Sequence, residues 1–373
     1  MAADSSRRAR SRTAFALACA ALALLGLAAV TAPAGTAARA SDAPVAGEEP
    51  PARRQVFRGD DRHPAFDAAA EQAWFEGHAS AQSVIGADER VRLTNTNEYP
   101  LRAIAFLGMY DQSGEFVGHC TGTFISPNAL LTAAHCLWDP ETGWTWDIRV
   151  VPGRNGSSEP YGDAWAKDWW VPDGWIDSEG GSEWDWGIIK MPSSTLGTTV
   201  GWFSIGVVRS ATLQQPDFEP AIIGYSGDKP LGTLWGAYKA AFLGVTDTTL
   251  IHDVDTYAGE SGSAVFSLNS SKYYFGYIVG IHVRGGTTAN EASRIDMFLL
   301  NDLLDACTAM GCQVDWESEA TTGPTPTPTR TATPTPTRTA TATATPTRTP
   351  PPPVTQGPRG DYRLRMPILA SDR

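Results

Sequence analysis

The chain has 373 residues, of which 42% are hydrophobic and 19% are charged, so it can bury a large core and exceeds one minimal domain. Its 36 glycines and 27 prolines favour a loop-rich β protein over a helical bundle. A formal charge of −12 disfavours nucleic-acid binding, and no apolar run deep in the chain suits a multi-span membrane protein. The acidity is concentrated in residues 83–318, which contain 29 Asp and Glu but 13 Lys and Arg.

Residues 1–40 have the three parts of a secretory signal peptide. Four arginines precede the uninterrupted apolar stretch Ala14–Val30, and Ala38-Arg39-Ala40 offers small residues for cleavage. A retained membrane anchor is the alternative, which the shortness of the apolar run disfavours. We therefore expect a secreted, extracellular protein that loses Cys19 with its signal.

Four cysteines follow the signal, and export makes disulfides the expected state. They allow three connectivities, of which we favour Cys120–Cys136 and Cys307–Cys312 because each pair is close in sequence. A zinc site is the alternative, but the sequence has no CxxC spacing. We expect neither a metal nor another cofactor.

Short runs of Val, Ile, Thr and aromatic residues alternate with Gly, Pro, Asn and Asp turns between residues 83 and 318. Strands at this spacing, without alternating helices, predict an all-β barrel or sandwich. One helix is predicted over Asp296–Ala306, where the apolar residues fall on one face. The predicted strands include Leu101–Tyr110, Gly122–Ile125, Gly187–Met191, Ala221–Tyr225 and Tyr274–Val283.

Three segments of this region contain the residue types of nucleophilic catalysis. His135 lies in LTAAHC, Asp185 precedes an apolar strand in EWDWGII, and Ser261 lies between glycines in GESGS. An α/β-hydrolase is disfavoured because its serine comes first and lies in GxSxG. Each segment alone is compatible with a structural role, but the three together predict a catalytic triad.

The chemistry requires these residue types. A serine hydroxyl needs an adjacent base, and the imidazole of His135 can take its proton near neutral pH. The carboxylate of Asp185 fixes the imidazole tautomer and stabilises the imidazolium. Gly259 lets the backbone turn so that its N–H and that of Ser261 face the developing oxyanion.

The chain resembles the bacterial glutamyl endopeptidases, which are secreted chymotrypsin-like serine proteases that cleave after Glu. The resemblance rests on SVIGADERVRLTNTNEYPLRAI from Ser83, CTGTFISPNALLTAAHC, VPGRNGSSEPYG, GYSGDKPLGTLW and DTYAGESGSAVF. It implies His135 as base, Asp185 as its orienting acid and Ser261 as nucleophile of an acyl-enzyme. It also implies two six-stranded Greek-key β-barrels with the triad in the cleft between them, and a C-terminal helix.

The same resemblance implies the residues that select the substrate. His282, on the strand after the nucleophile, and Thr256, five residues before it, match the family's S1 pocket for Glu at P1. Both side chains can hydrogen-bond a carboxylate, and a protonated His282 would add charge. Arg284 could contribute further charge or be a solvated surface residue; we favour the latter.

Asp255 supports a different specificity. It lies six residues before Ser261, where trypsin-like enzymes place the acid that selects Lys or Arg. The tripeptide DTY also occurs in Glu-specific relatives, however, which indicates that this acid points elsewhere. We therefore expect Glu at P1 and keep a basic P1 residue as the alternative.

Residues 41–82 are expected to be a propeptide that is removed to expose Ser83. Glu260 then departs from the family, which has Gln or Asn just before the nucleophile. An acid there could receive a new N-terminal amine, as in trypsin-like zymogens, or face solvent; we favour solvent.

The protease domain is expected to span residues 83–318, followed by a disordered Thr/Pro-rich linker over 319–353 and a segment over 354–373. The linker cannot build a core, and its prolines favour extended polyproline II. We expect a monomer that acts on proteins or peptides, without nucleic-acid partners. Our hypothesis for residues 354–373 is a docking or sorting segment that attaches the protein to a cell surface, and an inert tail is the alternative. A catalytically silent binding module that keeps the protease fold is the alternative function.

Overall fold

The computed structural model describes residues 56–59, 62–77, 82–178, 180–272 and 274–319. The expected signal peptide, nearly all of the Thr/Pro-rich linker and the C-terminal segment lie outside these residues. Within them, no helix is both long enough and apolar enough to cross a membrane.

Short strands dominate the described residues, in agreement with the predicted all-β class. The first twelve are β1 (Val56–Arg58), β2 (Gln82–Ser83), β3 (Val91–Leu93), β4 (Ile104–Tyr110), β5 (Phe116–Ser126), β6 (Ala129–Thr132), β7 (Trp138–Asp139), β8 (Gly143–Trp144), β9 (Asp147–Pro152), β10 (Ala164–Trp165), β11 (Asp168–Trp170) and β12 (Gly187–Lys190). The others are β13 (Ile205–Val207), β14 (Pro220–Tyr225), β15 (Leu234–Tyr238), β16 (Gly244–Val245), β17 (Thr249–His252), β18 (Thr256–Tyr257), β19 (Ala264–Ser267), β20 (Ile278–Arg284), β21 (Asn290–Arg294) and β22 (Trp316–Ser318).

Helices occupy little of the described chain, and most are short. They are α1 (Ala68–Gly77), α2 (Asp173–Asp177), α3 (Thr195–Val200), α4 (Ser210–Leu213) and α5 (Met297–Met310), with 3₁₀ turns at Leu101–Ala103 and Ala134–Cys136.

Two large sheets organise these strands. The first has eight strands in the order β1-β11-β12-β6-β5-β4-β9-β10, all paired antiparallel. The second has ten, with β16-β17-β21-β20-β19-β14-β15-β3 as its main path and β13 and β22 attached in parallel beside β20. The two-barrel expectation is therefore matched, and each sheet exceeds six strands partly because β1 joins the edge of the first and β22 joins the second.

The core joins the two sheets. Every residue of β6, β9 and β14 is buried, since these strands are covered on both faces rather than on one. The helix α5 buries Leu299, Leu300 and Leu303 against this core. Asp296 begins the helix by accepting the Leu299 N–H at 2.7 Å, and Gly311 ends it in the left-handed conformation, φ 72°.

The structure has both expected disulfides, Cys120–Cys136 and Cys307–Cys312. The first joins β5 to the 3₁₀ turn that contains His135, so it fixes one candidate catalytic residue to the first sheet. The second closes the end of α5.

Replacing Cys120 and Cys136 together by Ala should lower the free energy of unfolding by about 3 kcal/mol, because the bond closes a loop of 16 residues. Replacing Cys307 and Cys312, which are separated by 5 residues, should cost only about 2 kcal/mol on the same chain-entropy argument. Urea unfolding of the two variants checks the ranking. A larger loss from the second pair would contradict it.

Candidate active site

The pairing of two adjacent strands brings His135 and Asp185 together. Strands β6 and β12 are antiparallel with Thr132 opposite Gly187. The turn just after β6, which contains His135, therefore lies beside the loop just before β12, which contains Asp185. Asp185 Oδ2 lies 2.8 Å from His135 Nδ1, and its Oδ1 accepts the His135 backbone N–H at 2.9 Å. Both carboxylate oxygens therefore orient the same histidine.

The loop that holds Asp185 is fixed to β21. Ser293 donates its hydroxyl to the carbonyl oxygens of Ser182 and Asp185, and Ser182 donates to Glu291 Oε2 at 2.6 Å. Asp185 itself is buried. Burial opposes a positive charge on His135, but the charge and hydrogen bond of Asp185 outweigh it and raise the pKa of this imidazole above 6.5. The pair can therefore hold a proton on the histidine.

Ser261 lies beside this pair in a tight turn between β18 and β19. Its carbonyl oxygen accepts the Thr121 N–H at 2.9 Å and lies 3.8 Å from the Sγ of Cys136, the neighbour of His135. Among the described residues, Ser261 Oγ makes no hydrogen bond to His135, a looseness common at catalytic sites without substrate. The structure thus pairs His135 with Asp185 and places the backbone of Ser261 beside Cys136, the residue that follows His135.

Gly259 has a conformation and a contact that only glycine tolerates. Its φ is 96°, and a Cβ there would lie 2.2 Å from His119 Nε2. The Gly259 and Ser261 N–H groups donate to no acceptor among the described residues, whereas the intervening Glu260 N–H bonds to Tyr257 O at 3.0 Å. Two adjacent donors are thus available to an oxyanion.

Thr256 and His282 are both buried, Thr256 on β18, which pairs with β2, and His282 on β20 of the second sheet. Asn290 donates to Thr256 Oγ1 at 3.3 Å and is the strand partner of His252. The His252 and His282 rings lie 5.4 Å apart, edge to face. The sequence does not predict this contact, because no motif links residues 30 apart on different strands.

Electrostatics change the expectation for the pocket. Burial lowers the pKa of His282 well below 6.5, and the nearby His252 and His135 lower it further. Burial also lowers the pKa of His252 to about 3. Both rings are therefore neutral at pH 7, so neither provides an imidazolium at this position. His282 Nδ1 is buried without a hydrogen-bond partner among the described residues.

Asp255 faces away from the expected pocket. It is fully buried, and its two oxygens accept the backbone N–H groups of Ile85 at 2.9 Å and Glu89 at 2.8 Å. This acid therefore anchors the segment that begins at the expected mature start. Arg284 is exposed and donates to Gly180 O at 2.7 Å, as expected for a surface residue.

The expectation that Glu260 faces solvent is wrong. The residue is fully buried, accepts a hydrogen bond from Ser226 Oγ, and lies 3.6 Å from Arg90 Nη1. Arg90 is itself bonded to Asp88 and to both oxygens of Asp228. Burial raises the pKa of Glu260 to about 8 despite the opposing hydrogen bond of Ser226 and charge of Arg90. Its Oε2 has no hydrogen-bond partner among the described residues.

One cluster of metal-type ligands occurs in the described part of the chain. Cys120, His135 and Cys136 offer atoms within 4.8 Å of one another. The two cysteines form a disulfide and so provide no thiolate, which leaves one histidine. The residues present do not fit a zinc site.

Known proteins resemble this chain in sequence and in structure. A family model described as Trypsin matches residues 95–299. The glutamyl endopeptidase of Bacillus licheniformis is 36% identical over 231 residues, which cover 60% of this chain and 69% of that protein. A Bacillus subtilis protein named extracellular metalloprotease is 33% identical over 222 residues, or 59% of this chain and 68% of that protein. A solved structure of a Glu endopeptidase in complex with MPD matches with a TM-score of 0.53 and 30% identity, covering 60% of this chain and 99% of that one.

Glu260→Gln tests the burial of this carboxyl. Its pKa is about 8 when folded and near its ordinary 4.5 when unfolded, so the folded state alone keeps the proton between these values. The free energy of unfolding therefore falls as pH rises through that window, and the variant should lack this part of the fall. Urea unfolding at about pH 5, 7 and 9 measures it.

The exposed Glu115→Gln serves as the matched control and should follow the wild-type pH curve. Parallel curves for wild type and Glu260→Gln would contradict the prediction.

Proposed function

This chain belongs to the trypsin family of serine proteases, and from that premise we propose that it is an exported endopeptidase that cleaves after Glu. The observation that carries the proposal is the Asp185–His135 pair beside Ser261, with two backbone donors available at Gly259 and Ser261. Its substrates are proteins or peptides.

We assign the catalytic steps to these residues. Ser261 Oγ bonds to the scissile carbonyl carbon while His135 takes its proton and delivers it to the leaving amine as the C–N bond breaks. His135 then takes a proton from water as the water oxygen bonds to the acyl carbon. The ester bond to Ser261 Oγ breaks, His135 returns the proton to Ser261, and the carboxylic acid product leaves. Asp185 fixes the tautomer and stabilises the imidazolium throughout, which its two hydrogen bonds to His135 support.

Gly259 and Ser261 are the proposed oxyanion donors. Their N–H groups lie one residue apart in a turn whose other N–H groups are used internally, as at Glu260, Gly262 and Ser263. Losing one such donor typically costs about 2.7–4 kcal/mol of transition-state stabilisation.

Thr256 and His282 are the proposed contacts to the P1 carboxylate. A neutral His282 recognises it by hydrogen bonding, and the arriving carboxylate favours protonation of the ring. The basic-P1 alternative loses its support, since both oxygens of Asp255 are already bonded to backbone.

Export is proposed from the sequence of residues 1–40, and the Bacillus subtilis relative is named extracellular. Removal of residues 41–82 before Ser83 and attachment through residues 354–373 are parts of the same proposal.

A fluorophosphonate probe distinguishes the enzyme from the silent binding module. The full chain, once cut before Ser83, should be labelled at Ser261, and its Ser261→Ala variant should not be labelled. Asp185→Asn should keep its fold and lose about 10⁴-fold in kcat. Absence of labelling in wild type would favour the binding module.

Matched peptides with Glu, Asp, Lys, Arg or Phe at P1 test the specificity. Glu should give the highest kcat/KM, and Thr256→Val should lower that value by about 10- to 100-fold, since it removes a hydrogen bond to a charged group. Asp255→Asn should preserve the ranking of the peptides. A preference for Arg or Lys would overturn the assignment of the pocket.

A further inference from the structure

The described residues upstream of Ser83 are not an isolated leader. Residues 56–59 and 62–77, which we name the clamp segment, pack along the first sheet. This placement rests on no catalytic assumption, although the cleavage before Ser83 considered below is part of the proposed function.

The clamp segment begins as an added edge strand. Strand β1 pairs antiparallel with β11, and Gly59 donates its N–H to Lys167 O at 2.8 Å. The Phe57 ring stacks on Trp169 at 4.7 Å and meets the edge of Trp146 at 5.5 Å. Backbone pairing fixes the register, and the aromatic contacts bury the strand's inner face.

The middle of the segment contacts β9 and β10. His63 Nδ1 lies 2.8 Å from Asp147 Oδ2, and its ring stacks on Trp165 at 5.1 Å. The Arg149 guanidinium lies 3.6 Å from the centre of the Phe66 ring. These contacts continue the interface from β1 to α1.

Helix α1 completes the clamp with a buried ion pair. Glu71 accepts two hydrogen bonds from Arg154, at 2.6 and 3.1 Å, and both residues are at least 95% buried. Trp74 meets the edge of Phe116 at 5.3 Å, and Phe75 lies 5.8 Å from His119. Among the described residues, Glu71 is the only acid paired with Arg154.

Two consequences follow from this interface. The contacts that the described residues of the clamp segment make lie on β5, β9, β10 and β11, so the segment is positioned to stabilise the first sheet. Its loss would leave Arg154 as a buried charge without its carboxylate, which is strongly unfavourable.

We propose that the clamp segment binds the protease domain as a separable subunit and stays bound after the chain is cut before Ser83. Its partner surface is the outer face of the first sheet, and Glu71 recognises Arg154 there.

The test uses the full chain with Ser261→Ala, which prevents self-digestion, and a site-specific protease sequence inserted after Gly77. After cutting, the N-terminal part should co-elute with the protease domain on gel filtration. Synthetic peptides of residues 54–77 then compete for that position, so every arm uses the same folded protein.

The wild-type peptide and Glu76→Gln should compete equally, because Glu76 is exposed on the same helix and, among the described residues, accepts a hydrogen bond from Gln72 alone. The Glu71→Gln peptide should need an about 100-fold higher concentration to compete, since it leaves Arg154 without its counter-charge.

Separation of the two parts after cutting, or equal competition by Glu71→Gln and Glu76→Gln, would overturn the proposal. Because binding is the readout and the protein is inactive by design, failure of the proposed catalysis would leave this result interpretable.

Discussion

The antiparallel pairing of β6 with β12 is the constraint on which the site depends. Thr132 opposite Gly187 sets His135 and Asp185 at the same end of the pair, and a slip of one residue would reverse the faces of the strand. Gly187 makes this pairing sterically possible, since a Cβ there would lie 2.6 Å from Leu137 and 2.7 Å from Trp170 O. The strand pairing that sets His135 beside Asp185 therefore requires glycine at position 187.

Buried acids link the expected mature start to the second half of the site. Asp255 accepts two N–H groups from residues 85–89, and Glu260 lies beside Arg90. Asp255 adjoins Thr256, and Glu260 separates the two proposed oxyanion donors. The segment that follows Ser83 is thus tied to the walls of both proposed subsites, which gives a physical reason why processing there would affect the site.

The sequence predicted the features that are determined by residues close together in the chain. The strand at 220–225, the helix begun by Asp296 and the close cysteine pairs lie where expected. The strand predicted over Leu101–Tyr110 begins at Ile104, because Leu101–Ala103 form a 3₁₀ turn. The predicted strand at Tyr274–Val283 begins only at Ile278, because Gly276 has φ 76° and turns the chain first. The burial of Glu260 was not predicted, because it depends on Arg90, which is 170 residues away in the sequence. The residues around Glu260 in the sequence do not distinguish it from a solvent-exposed acid.

The net charge and the pocket make opposite demands on an acidic substrate. Residues 83–318 carry an excess of 16 acids, which repels a Glu side chain at long range. At physiological ionic strength, salt screens this repulsion at separations greater than about 8 Å. In the proposed pocket, burial keeps His282 and His252 neutral, so neither ring bears the desolvation cost of a buried charge before a substrate binds. A carboxylate that enters favours the protonated form of the ring, which burial disfavours, since an opposite charge at close range raises the pKa of an imidazole. Under the proposed specificity, binding of Glu and protonation of His282 would therefore be coupled, and an uncharged P1 side chain would lack that contribution.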